Sequence, residues 1–151
     1  MANEPTTTIT GNLTADPEIR YTQSGRPVAS FTIANTPRFP DKSGQWQDGD
    51  TWFVRCSAWG DLAENVASSL AKGAAVVATG RLCARPWKTK EGENRVSVEL
   101  TVDDIGPSLR RSVAKVTKVT REHPAADATA APAADEWSAS ASASSGDMPP
   151  F

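Results

Sequence analysis

The nine residues Thr51 to Trp59, T-W-F-V-R-C-S-A-W, alternate in a way that few folds can accommodate. In an extended strand successive side chains point to opposite faces, so Phe53, Arg55, Ser57 and Trp59 share one face while Trp52, Val54, Cys56 and Ala58 share the other. The second face has the composition of a buried core. The first sets aromatic rings beside a guanidinium and a hydroxyl, a mixture that wastes apolar area in a core but suits stacked bases with a phosphate chain between them. The pattern points to a small sheet or barrel that takes single-stranded nucleic acid on one face.

The neighbouring segments agree with a β-rich body. Thr6 to Leu13 alternates Thr with Ile, and Pro27 to Asn35 follows a Ser24-Gly25 turn. A helix is predicted over Gly60 to Lys72, where Leu62, Val66 and Leu70 form one stripe with Ala63 and Ala67 beside it and Gly73 as a stop. Two more strands, Ala75 to Trp87 and Arg95 to Val102, are joined across K-T-K-E-G-E-N with Gly92 at the tip. Three strands, a helix and two strands predict an all-β fold with one short helix, the five-stranded barrel of the OB-fold, whose face and loops hold oligonucleotides.

Composition sets the limits of that body. From Glu122 onward the chain is Ala, Ser, Pro and Asp, with Trp137 and Phe151 as its only aromatics and no Val, Ile or Leu. Such a segment cannot bury enough apolar surface to offset its ordering entropy, so a folded domain is expected over 1–121 and a disordered tail over 122–151. All 16 Lys and Arg precede residue 122 beside 13 Asp and Glu, whereas the tail carries Glu122, Asp127, Asp135, Glu136 and Asp147 and nothing positive. A mildly basic body with an acidic tail therefore underlies the net charge of −2, and the acidic pI of 5.4 does not argue against a nucleic-acid partner.

No apolar run is long enough to span a bilayer, and the N-terminus lacks the basic and apolar regions of a signal peptide, which predicts a cytoplasmic protein. Cys56 and Cys83 form no C-x-x-C, and the single histidine, His123, lies at the start of the tail, so neither metal nor cofactor is expected. Cys56 has core parity and Cys83 outward parity. Two free thiols are expected, with a bridge between subunits left open.

The residues on these elements resemble bacterial single-stranded DNA-binding proteins. Gly11-Asn12-Leu13, Asp16-Pro17-Glu18, Arg20-Tyr21, Gly25, Val28-Ala29 and Phe31 stand in the family's order and spacing, and Gly60, Leu62-Ala63-Glu64, Gly73, Gly80, Leu82 and Trp87 extend the match. The segment from Val102 to Arg121 looks most like actinobacterial members. The resemblance implies non-sequence-specific coating of single-stranded DNA in replication, repair and recombination, a homotetramer, association with the nucleoid, and no catalysis. It places base-stacking rings at Phe39, Phe53, Trp59 and Trp87. Trp52, of opposite parity, is expected in the core or at a subunit contact, and Trp46 is undecided.

Arg55, Arg81 and Arg85 share the outward parity of the rings, and Lys42, Lys88 and Lys90 lie on the flanking loops. An isolated surface Lys is only a solvated charge, but clustered beside exposed rings these cations read as a phosphate track. The basic run Arg110, Arg111, Lys115, Lys118 and Arg121 either adds phosphate contacts or forms a strand or clasp on a neighbouring subunit, the second being favoured by the resemblance. The last residues, Asp147, Met148, Pro149, Pro150 and Phe151, resemble the family's partner-recruiting tip. They depart from it in having one aspartate there and a proline at the usual apolar position. The rival readings are an RNA-binding OB-fold module and a nuclease. The body has no carboxylate cluster with metal spacing, no Cys-His pair and no Gly-rich phosphate loop to favour the latter.

Overall fold

A computed structural model describes residues 3–120. The expected boundary at 121/122, the tail and the terminal residues Asp147 to Phe151 lie outside the described residues. Eight strands and one helix follow in the order β1 (Thr6–Leu13), β2 (Glu18–Tyr21), β3 (Pro27–Asn35), β4 (Arg38–Pro40), β5 (Trp46–Asp48), β6 (Trp52–Trp59), α1 (Asp61–Ser69), β7 (Ala75–Lys88) and β8 (Asn94–Pro107). The main sheet runs β1-β7-β8-β6-β3-β2, and a further β1–β3 pairing closes five of its strands into a barrel with β2 flanking β3. This is the OB-fold architecture that the order of elements predicts. Neighbouring strands are antiparallel apart from β6 and β8, which run parallel with Arg55 opposite Glu99 and Ser57 opposite Thr101.

Two glycines make the closure sterically possible. β1 pairs with β7 along its length and passes to β3 at Asn12 and Leu13. A Cβ on Gly11 would lie 2.3 Å from the carbonyl oxygen of Ala34, so no larger residue fits where β1 is shared. On the opposite side, the β7–β8 register shifts between Thr79 and Gly80, and a Cβ on Gly80 would meet the Thr101 carbonyl oxygen at 2.2 Å. The bulge bends β7, and the glycine lets β8 close on the bend.

Inside the barrel Ile33, Val54, Val76 and Leu100 are fully buried, joined by Ile9, Leu13, Phe31, Cys56, Ala58, Ala78 and Val102. Burying each large aliphatic side chain contributes about 1.5–3 kcal/mol. Helix α1 adds Ala63 and Val66 to this core and is followed in it by Leu70, with Leu62 packed against it. Asp61 and Glu64 in its first turn complement the helix dipole. The helix ends earlier than the predicted Lys72. Leu70 is already extended, at φ −112° and ψ 143°, while its N–H still donates to the Val66 carbonyl, and the turn out is fixed by the Lys72 N–H donating to Asp16 Oδ1 at 2.7 Å.

The structure adds elements that periodicity did not disclose. β2 extends the sheet beside β3, and the loop before β6 carries its own two-stranded sheet, β4-β5. β8 continues to Pro107, beyond the expected Val102. Residues 108–120 contain no strand, and Leu109, Val113, Val116 and Val119 are exposed. Among the described residues, no helix is long and apolar enough to cross a membrane.

Candidate nucleic-acid interface

Strand β6 alternates as expected over most of its length: Val54, Cys56 and Ala58 are buried while Phe53 and Arg55 are exposed and Ser57 and Trp59 are half-buried. Trp52 keeps this parity but does not join the core. It begins the strand opposite Asn35, past the end of the core, and is half-exposed rather than buried. The ladders carry the outward face across the barrel in rows. Thr32, Arg55, Glu99 and Cys83 form one row, and Ser30, Ser57, Thr101 and Arg81 the next. On β7 the same parity continues through Arg85 and Trp87, opposite Ser97 and Arg95.

Four aromatic positions predicted from sequence thus divide among three supports, the barrel wall and two ribbons. Phe53 (62% exposed) and Trp59 stand on the barrel wall. Trp87 (49% exposed) lies near the end of the β7–β8 ribbon, and Phe39 (50% exposed) on β4 opposite Gln47. Rings left this open are available for stacking, which tolerates any base. Phe39 has a defined seat: the space where a Cβ on Gly49 would stand lies 3.1 Å from its Cε1, and Gly49 N–H donates to the Pro37 carbonyl at 2.7 Å.

The ribbon carrying Phe39 is held by one carboxylate. Asp41 Oδ1 accepts from the backbone N–H of Ser43 at 2.8 Å, from Ser43 Oγ at 2.5 Å and from the Gln45 N–H at 3.0 Å, and Oδ2 accepts from Gln47 Nε2 at 3.0 Å. The Ser43 hydroxyl first, then the Gln45 N–H, hold the Asp41 carboxyl below its usual value of 3.8. Lys42 is exposed in that turn, and Trp46 is exposed on β5 across from Pro40. Arg38 pairs with Asp48 at 2.8 Å.

The predicted cations differ in what already occupies them. Arg81 is committed through both terminal nitrogens, Nη1 to Glu4 at 3.6 Å and Nη2 to Asp103 at 3.3 Å. Arg85 has a single carboxylate partner, Glu99, with Nε 2.9 Å from its Oε2. Arg55, Lys42, Lys88 and Lys90 make no ion pair among the described residues. The sequence reading missed Arg26, whose guanidinium lies 5.2 Å from the Trp59 ring centroid. Its turn is closed by Thr22 and Arg26, and the pre-proline position just before β3 was the available signal.

Both cysteines are free thiols. Burial pushes the Cys56 thiol up to about 12. Cys83 is half-buried on the outward face, where Sγ donates to Glu4 Oε1 at 3.2 Å and lies 3.5 Å from Thr101 Oγ1. No group of three or more His, Cys, Asp or Glu suited to a metal ion occurs among the described residues.

Exposed rings and cations on the outer face of a closed five-stranded barrel define an OB-fold protein of the oligonucleotide-binding kind. Residues 5–108 match the profile of the Single-strand binding protein family, and the chain belongs to that family. It is 51% identical to the single-stranded DNA-binding protein of Mycobacterium tuberculosis, covering 100% of both chains, and 50% identical to that of Paenarthrobacter aurescens, covering 97% of this chain and 93% of the relative. Among solved structures it is similar to the small single-stranded DNA-binding protein of Streptomyces coelicolor, with a TM-score of 0.65 and 34% identity over 74% of this chain and 100% of the other.

Proposed function

We propose that this protein coats single-stranded DNA without reading its sequence, in replication, repair and recombination, and catalyses no reaction itself. The observation that carries this is the outward face on which Phe53, Trp59 and Trp87 stand in strand register with Arg55 and Arg85, with Phe39 on the adjoining ribbon. Bases stack on the rings, while Arg55, Arg85, Lys42, Lys88 and Lys90 take phosphates and Arg26 backs the Trp59 ring. Binding of oligo-dT is expected to quench Trp emission with strong salt dependence. Trp59→Ala combined with Trp87→Ala should cost on the order of 2–6 kcal/mol of affinity, and unchanged affinity in that double variant would sink the stacking face. Titrating the RNA counterpart of the same oligonucleotide distinguishes the RNA-binding alternative, which requires the RNA to bind at least as tightly.

One OB domain covers only ~4–16 nucleotides, so a homotetramer multiplies the contacts on one strand. Val96 and Val98, 66% and 50% exposed on the core-side parity of β8 beside Ala84 and Pro86, offer apolar surface that another subunit would cover, and Trp52 is exposed on the same parity of β6. The basic run after β8 is read as a clasp on such a neighbour. Residues Asp147 to Phe151 recruit DNA-metabolising partners through the Phe151 ring beside an acidic charge, in a cytoplasmic, nucleoid-associated protein. Removing Pro150 and Phe151 should abolish partner capture and leave oligo-dT affinity intact.

A further inference from the structure

The two arginines of β7 that share the outward face differ in which edge of the guanidinium is in use. Arg81 gives both Nη groups to carboxylates, Glu4 from the segment before β1 and Asp103 from β8. Cys83 Sγ donates to the same Glu4, so the whole cluster ties the N-terminal segment across β7. Arg85 instead has one carboxylate partner, Glu99, whose Oε2 lies 2.9 Å from Nε. No carboxylate residue other than Glu99 pairs with it among the described residues, and its side chain is 58% exposed.

Glu99 is placed to hold that orientation. It lies on the central strand β8, opposite Arg55 on one side and Cys83 on the other, and its side chain is only 21% exposed. A guanidinium fixed through Nε retains a pair of parallel N–H donors at its Nη edge, the geometry that a phosphate or carboxylate accepts bidentately. We propose that Glu99 is a positioning residue that holds Arg85 by Nε and leaves its Nη edge to receive a DNA phosphate, whereas Arg81 is a structural latch and takes no phosphate. The inference rests on the DNA face proposed above and assigns unequal roles to residues that sequence parity makes equivalent.

Full-length variants titrated with fluorescently labelled oligo-dT across a salt series test this, with thermal unfolding read alongside. Arg85→Ala should lower the slope of log affinity against log salt by about 0.7, the value of one phosphate contact on a single strand, and weaken binding about fivefold at ~0.1 M salt. Arg81→Ala should leave the slope unchanged and lower the melting temperature, because it frees the Glu4 segment. Glu99→Ala should weaken binding several-fold, whereas Glu99→Gln, whose amide oxygen still accepts from Nε, should bind at least as tightly as the wild type. Tighter binding by both Glu99 variants would make Glu99 a competitor of phosphate and overturn the positioning role. An Arg81→Ala slope as reduced as that of Arg85→Ala would overturn the division between the arginines. If Arg85→Ala and Trp87→Ala both left affinity unchanged, the DNA face itself would be misplaced, which separates failure of that reading from failure of this one.

Discussion

The barrel wall and the two ribbons that extend it present similar rings on unlike supports. Phe53 and Trp59 belong to β6, a strand flanked by β3 and β8 and backed by fully buried Val54 and Ala58. Phe39 sits on the separate two-stranded β4-β5 sheet. Trp87 lies where β7 and β8 pair only with each other, since the β1 ladder ends at Arg81 and the β6 ladder begins at Glu99. A two-stranded ribbon is marginally stable alone, so its rings can adjust while those on the wall stay fixed. On the DNA face proposed above, the wall would set where the strand lies and the ribbons would adapt to it.

The largest effect that tests this contrast belongs to the wall. Leu100→Ala, at a fully buried position, should cost about 2–5 kcal/mol of folding stability in denaturant titration while the remaining folded protein binds oligo-dT normally. Trp87→Ala should do the reverse, losing about 1–3 kcal/mol of oligo-dT affinity with an unchanged denaturation midpoint. A large stability loss from Trp87→Ala would mean that the ribbon is part of the folding core and would break the comparison.

A smaller effect is expected from Asp41→Ala, which removes the acceptor for Ser43, Gln45 and Gln47. Amide hydrogen exchange at Ser43 and Gln45 should accelerate, with a slight loss of affinity through Phe39. Because the folded carboxyl is held below 3.8, its contribution is present above that pH and is lost as pH falls through the depressed value. Exchange in this turn should therefore be pH-independent in protection near neutrality and lose protection in acid. Unchanged protection in the variant would show that the turn is held by its backbone alone.

The thiols give the mildest test, since labelling them leaves the sequence unchanged. Cys83 should react with a thiol reagent in the native protein at pH 8, while Cys56, raised to about 12 by burial, should react only after unfolding. Two thiols reacting at similar rates in the native state would mean that the core side of the wall opens as readily as its outer face is reached.

Much of the wall could be read from the chain because a strand with one buried face writes its parity into the sequence. Val54, Cys56 and Ala58 alternate with Phe53, Arg55, Ser57 and Trp59, and the fold places them accordingly. Trp52 shows the limit of that rule, because parity gives a direction but not how far the core extends. The β4 and β5 strands are each three residues long, too short to show a period, and what organises them is the Asp41 turn. The different commitments of Arg81 and Arg85 were not legible either. They depend on the β7–β8 register and on Glu4, far away in sequence, and identical residue types at identical parity carry no sign of their partners.

The pairing of β1 has a consequence for how the chain is made. Thr6 aligns with Arg81 and Asn12 with Ala75, so β1 leaves the ribosome well before its main partner, more than sixty residues downstream. β8, which completes the cycle between β7 and β6, comes last. A nascent chain released before Pro107 thus holds an exposed edge on β6 and an unfinished one on β7, and closure is postponed until synthesis of the body is complete. Domains dominated by such distant contacts fold slowly, on the millisecond-to-second scale, and unpaired edges are where chains associate wrongly in the meantime. A ribosome stalled within β8 should accordingly carry a protease-sensitive N-terminal segment that becomes resistant once residues 94–107 emerge.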